Sequence, residues 1–163
     1  MRRAAGAGFT LIEIVVVLAV IAILATLAIP SFQDRIVRGQ IVDAMKIADI
    51  AKAPVAASWA LAHTLPADNT AAGLPAAGKI VGSFVTSLTV EAGAIHVVFG
   101  NNANGAIRGK TLTLRPAVVA DAPVVPVAWV CGHASAVDQM TAQGTDRTDV
   151  AVNYLPLNCR AGS

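Results

Sequence analysis

Residues 8–29 read GFTLIEIVVVLAVIAILATLAI, and this stretch decides the architecture. From Phe9 to Ile29, only Thr10, Glu13 and Thr26 are polar in 21 residues. At about 1.5 Å per residue such a helix is about 30 Å long, the thickness of a bilayer core. No second stretch matches it. The next most apolar run, Pro116 to Cys131, carries Asp121 and prolines at 116, 123 and 126. A charge and broken backbone pairing bar that run from crossing lipid as a helix. The expectation is therefore one membrane-competent segment followed by a separate head.

What precedes the run is as telling. Residues 1–8 are short, carry Arg2 and Arg3, and end in small residues. A secretory signal places its small-residue cleavage site after the apolar stretch. Here the small residues come before it, and Pro30, Ser31 and Phe32 follow it. The apolar segment is expected to stay in the mature chain. The arginines place the N-terminal end in the cytoplasm and the remainder outside.

Glu13 stands inside the run. A mid-membrane carboxylate costs about 2.5–3.5 kcal/mol on insertion scales, less near the interface. It needs a positive partner, and cleavage between Gly8 and Phe9 would create one at the Phe9 α-amino group. Gly8-Phe9-Thr10-Leu11-Ile12-Glu13 followed by an unbroken apolar stretch resembles the class III signal of type IV pilins. The resemblance implies that a prepilin peptidase cuts after Gly8 and N-methylates Phe9. It implies that Glu13 pairs with the N-terminal amine of a neighbouring subunit during filament assembly. Pro30 stands where many pilins carry a helix-weakening proline. The implied organisation is a leader over 1–8, an apolar half-helix over 9–29, and an amphipathic half-helix plus head over 30–163.

Helical signal resumes after Pro30. Val37, Ile41, Ala44, Met45, Ala48, Val55 and Trp59 recur at helical spacing, which predicts one buried face. Asp34 and Arg38 stand four apart, and Asp43, Lys46, Asp49 and Lys52 alternate in sign at steps of three, as on a solvated face. Val42 and Ile50 interrupt that face, which suits contact with other subunits. Kinks are expected at Pro30 and Pro54. One helix is expected from about Phe9 to Leu61.

Residues 62–82, rich in Ala, Gly and Pro, read as a connecting loop. Strand patterns follow: Phe84, Leu88 and Val90; Ile95, Val97 and Phe99; Leu112 and Leu114; then Val127 and Trp129 into Cys131. Gly100-Asn101-Asn102-Ala103-Asn104-Gly105 is a dense turn signal. Four antiparallel strands with one apolar face would pack on the outer half of the helix. This α+β layout resembles the type IV pilin fold, with its four-stranded sheet against a long N-terminal helix. His96 reads as a surface or strand-face residue, and His63 as an aid to the helix C-terminus.

Cys131 and Cys159 are the only cysteines, and both lie on the outer side of the anchor. An even count in an oxidising compartment reads as a disulfide. The alternative, two ligands of a metal site, needs further ligands, and His133 alone does not complete four. Trp129-Val130-Cys131-Gly132 and Leu155-Pro156-Leu157-Asn158-Cys159-Arg160 resemble the two ends of the C-terminal disulfide-bounded loop of type IVa major pilins. That loop, Gly132 to Asn158, carries Asp138, Asp146, Arg147 and Asp149. Its polar composition reads as an exposed recognition surface.

Composition narrows the function. The chain is 55% hydrophobic with a mean hydropathy of +0.64, which excludes disorder. A formal net charge of +2 argues against a polybasic nucleic-acid binder. Arg108, Lys110 and Arg115 form a local basic group that reads as a solvated hairpin. Asp146-Arg147-Thr148-Asp149 lacks the ligand spacing of a calcium loop. No phosphate loop, nucleophile elbow or zinc-protease motif occurs, so no enzyme, catalytic residue, metal or cofactor is expected. The resemblance implies a pilus subunit serving adhesion, twitching motility, biofilm formation or DNA uptake. It implies a single pass in the inner membrane before assembly and an extracellular fibre afterwards. The implied partners are further copies, the prepilin peptidase, the inner-membrane assembly machinery, and a host surface or DNA. Two alternatives are a minor or DNA-receptor pilin and a pseudopilin of a type II secretion system. The disulfide loop disfavours the pseudopilin, since major pseudopilins generally carry a calcium loop there.

Overall fold

Ala-, Val- and Ile-rich sequence without an internal glycine run forms one helix, α1, over Leu11–Ala62. A computed structural model describes residues 8–162, apart from the side chains of residues 27–31. The helical assignment continues through Pro54. Pro30, the other expected kink, lies within α1, and its side chain is outside the described residues. The chain divides into two compact units, the second beginning at Ile36.

In the first unit every helical side chain from Ile14 to Ala25 is apolar, so that stretch is apolar on every side. Leu11, Ile12, Val15, Leu18, Ile21 and Leu24 are all exposed. Among the described residues no helix is long and apolar enough to cross a membrane. Within the apolar stretch the described helical side chains run from Leu11 to Thr26 and stop there.

The second unit holds the core. Val37, Ile41, Ala44, Ala48, Ala51 and Val55 are buried along one face of α1. Steps of three and four keep them on one stripe. The alanines let a sheet approach closely. That sheet is an antiparallel meander of β1 (Val85–Glu91), β2 (Ala94–Phe99), β3 (Thr111–Val118) and β4 (Ala128–Cys131). A two-residue strand, β5 (Thr141–Ala142), adds to β3. Leu88, Val90, Ile95, Val97, Phe99, Leu112 and Leu114 close on the helical stripe in one cluster.

Two readings are corrected here, and the connecting loop gains an organising residue. Val85, not Phe84, is the fully buried residue at the start of β1. The register shifts between Val85 and Ser87, so Val85 and Leu88 share a face despite their odd spacing. The loop before β1 is ordered by Asn69, which is buried: its Nδ2 donates to Pro75 O and Leu88 O, and its Oδ1 accepts the Val90 N–H at 2.6 Å. Finally, the sheet does not keep one face in water. Residues after β4 fold over the face opposite α1, where Ala117, Val130 and Ala134 form a second cluster. His96 and Thr113, paired across β2 and β3, are buried on that face.

Candidate functional site: the helix start and the clamped loop

At the N-terminal end Thr10 precedes the first helical residue. Its Oγ1 accepts the Glu13 N–H at 3.4 Å, and Glu13 Oε2 accepts the Thr10 N–H at 3.5 Å. This reciprocal pair satisfies donors that a helix start leaves open. The signal is present in the sequence as Thr10-Leu11-Ile12-Glu13, threonine with glutamate three residues on, a role that the expected intersubunit pairing of Glu13 does not include. Phe9 is 78% exposed. Gly8 has open space where a side chain would stand. The two residues flanking the expected cut are therefore accessible on this chain.

At the other end Cys131 of β4 and Cys159 of a 3₁₀ turn (Leu157–Cys159) are joined by a disulfide. Gly132 makes the closure possible. It has φ +54°, and a Cβ there would stand 2.8 Å from the Cys159 carbonyl oxygen. His133 N–H then donates to that carbonyl. Arg38 on α1 donates from Nε and Nη2 to Asn153 O at 3.1 and 2.8 Å, tying the loop to the helix. The sequence had offered Asp34 as its partner; a loop carbonyl distant in sequence is what the fold brings to it.

The middle of the loop is a structural edge. β4 pairs with β3 only from Leu114 to Ala117, which leaves Thr111 and Thr113 without a strand on that side. Residues 147–149 take the place. Thr148 Oγ1 accepts the Thr113 N–H, Asp149 Oδ1 accepts the Thr111 N–H, and Asp149 N–H donates to Thr111 O. Arg147 N–H donates to Thr113 Oγ1, and the Arg147 guanidinium pairs with Glu91 at 2.6 Å. Asp146 binds the His133 ring at 2.8 Å. Asp146, Arg147 and Asp149 are thus committed to the head itself, which corrects their reading as free recognition groups. Side chains replace backbone here, so no strand pattern announced the segment.

His96 stands on a strand face, as read, but it is buried there and not at the surface. The Thr113 hydroxyl meets its Nδ1 at 3.0 Å, while its buried Nε2 has no hydrogen-bond partner and stands 3.8 Å from Glu91. Burial, then the positive charge of Arg147, push its pKa below the ordinary 6.5, against weaker upward pulls from Glu91 and Asp146. The expected basic group is also dispersed: Arg108 donates to Ala103 O, Lys110 pairs with Asp149 at 3.4 Å, and Arg115 donates to Gly132 O and Ala134 O. The helical pairs Asp43–Lys46 and Asp49–Lys52 form as spaced, at 2.6 and 2.7 Å. Among the described residues no three His, Cys, Asp or Glu gather as metal ligands.

These two ends are matched by two families. Residues 3–29 match the prokaryotic N-terminal methylation motif, and residues 37–160 match the family described as pilin (bacterial filament). The chain belongs to the type IV pilin family. The pilin is 33% identical to a fimbrial protein of Neisseria meningitidis serogroup B, over 96% of its own length and 95% of the relative's. It is 33% identical to the type IV major pilin protein PilE of Neisseria gonorrhoeae, over 94% and 93%. It is also 33% identical to the fimbrial protein EcpC of Eikenella corrodens, over 98% and 94%. The helix, antiparallel sheet and disulfide are those of the type IV pilin fold. Proteins of this family are structural.

Proposed function

We propose that the pilin is the subunit of a surface filament, built in the manner of the major pilins it resembles. The observation that carries this is the first unit of the chain. From Ile14 to Ala25 its helical residues are apolar all round and exposed, a surface that water does not favour and that other helices or lipid must cover. In this reading residues 1–8 are a leader, removed between Gly8 and Phe9 by a prepilin peptidase that also methylates Phe9. Residues 9–29 anchor the subunit in the inner membrane and then line the filament core. Residues 30–163 carry the amphipathic half-helix and head, with bends at Pro30 and Pro54.

Glu13 then has two successive roles. In the single chain it closes the start of α1 with Thr10. In the filament its carboxylate meets the Phe9 amine of the next subunit, away from water, where an unpaired charge is costly. Glu13→Val is expected to leave processing and membrane insertion intact and to cut fibre yield severely. Intact-mass analysis of sheared fibres, together with their yield, tests the reading. The expected mass is that of 155 residues from Phe9 to Ser163 with a methyl group. A chain beginning after Ile29, or normal fibres from Glu13→Val, would overturn it.

A further inference from the structure

Asn104-Gly105 is the single Asn-Gly pair in the chain, and its surroundings are those of a reactive bond. The geometry points to Asn104 as a site of spontaneous self-modification, in which its side-chain amide is lost and a carboxylate takes its place. Asn104 Oδ1 accepts the Ala106 N–H at 2.9 Å. That hydrogen bond closes a small ring containing both Asn104 Cγ and Gly105 N, so nucleophile and electrophile are held near each other. It also draws electron density from the amide carbonyl. Among the described residues neither the Gly105 N–H nor the Asn104 amide nitrogen has a hydrogen-bond partner. The attacking and leaving nitrogens are therefore both unencumbered. Gly105 is exposed, and nothing crowds it. Glycine presents no Cβ to obstruct ring closure.

In the first step Gly105 N gives up its proton and bonds to Asn104 Cγ. The Cγ–Nδ2 bond breaks, and the nitrogen leaves as ammonia carrying that proton. Water then opens the cyclic imide. Hydrolysis at Cγ yields aspartate with the main chain restored. Hydrolysis at the original main-chain carbonyl yields isoaspartate, with the peptide link running through Cγ. No oxidant, reductant or enzyme is required.

The other asparagines differ in a way that decides the choice. The amide nitrogen of Asn69 is bonded to Pro75 O and Leu88 O, and that of Asn101 to Gly82 O and Val85 O. Asn102, Asn153 and Asn158 are followed by residues with side chains.

The modification matters because Asn104 joins the β2–β3 turn to the helix. Its N–H donates to Gln40 Oε1 at 2.8 Å, and its carbonyl accepts from the N–H groups of Ile107 and Arg108. Aspartate keeps those bonds and adds one negative charge to an exposed turn. Isoaspartate lengthens the main chain between the anchors and turns the accepting carbonyl into a carboxylate. An older subunit would thus carry a different surface charge, and a looser turn, from a new one.

The test is peptide mapping of the mature folded protein, sampled over days at mildly alkaline pH and body temperature. The peptide containing residue 104 is expected to exchange NH2 for OH progressively, splitting into aspartyl and isoaspartyl forms. Peptides containing Asn102 alone or Asn153 should lag far behind. Gly105→Ala should fold normally, since space is open there, and should lose most of the modification. Asn104→Asp supplies the chromatographic standard. Residue 104 remaining as unmodified as Asn153 would overturn the proposal, as would Gly105→Ala reacting at the wild-type rate.

Discussion

At the level of single residues, His96 shows how a tertiary neighbour sets a chemical property. Its ring lies in the middle of β2, faces Thr113 and is covered by the segment bearing Arg147 and Asp146. Burial and Arg147 disfavour its charged form. The folded ring therefore holds a proton less tightly than the ring in an unfolded chain. Stability contributed by neutral His96 is present above about pH 6.5 and is lost as pH falls through that value toward the lowered folded pKa. The thermal midpoint of the head is expected to fall between pH 7.5 and 5. In His96→Gln that decline should be shallower. His133 remains in both proteins, so the difference between the two curves belongs to position 96. Equal slopes would show that the ring does not carry the acid sensitivity.

Among elements, the segment 146–149 is the instructive one. It has no secondary structure of its own, yet it completes the open side of β3 with donors and acceptors taken largely from side chains. An uncovered edge is an invitation to wrong pairing, and here the C-terminal loop covers it. Thr148→Ala would leave the Thr113 N–H without its acceptor, at a cost of about 1–3 kcal/mol. Replacing Asp146, Arg147 and Asp149 together by alanine should lower unfolding stability by about 2–4 kcal/mol, from several lost hydrogen bonds and only weakly contributing exposed ion pairs. Denaturant unfolding of the oxidised head measures this. An unchanged midpoint would return these three residues to the role of a free recognition surface. The polar composition of 132–158 was legible. Its commitment to β3 was not, because hydrogen bonding by Thr148 and Asp149 leaves no alternating pattern to read.

At the scale of the whole head, the sheet is a middle layer: α1 covers one face, and the disulfide-clamped loop covers the other at β3 and β4. The disulfide spans 28 positions, and by chain entropy such a closure contributes about 3–4 kcal/mol. That is a large part of the roughly 5–15 kcal/mol that holds a domain folded. Cys159→Ser is expected to do more than lower a midpoint. With the clamp gone, the loop should detach from the face that buries His96 and Thr113, and limited proteolysis should cut first between 132 and 158. Wild-type protease resistance in Cys159→Ser would mean that Arg38 and the 147–149 contacts hold the loop unaided.

Periodicity and charge by themselves determined the long helix, its buried stripe from Val37 to Val55, two ion pairs along it and the four antiparallel strands. These depend on local spacing, which the chain displays directly. The methylation signal and the cysteine pair were equally legible, because each is a short pattern or a parity. Position within the folded head decided the rest. His96 became a buried base, Asp146, Arg147 and Asp149 became staples, and Asn69 became the organiser of the loop before β1. In each case the deciding partner lies on another element, and no neighbour along the chain signals which side chain will cover it.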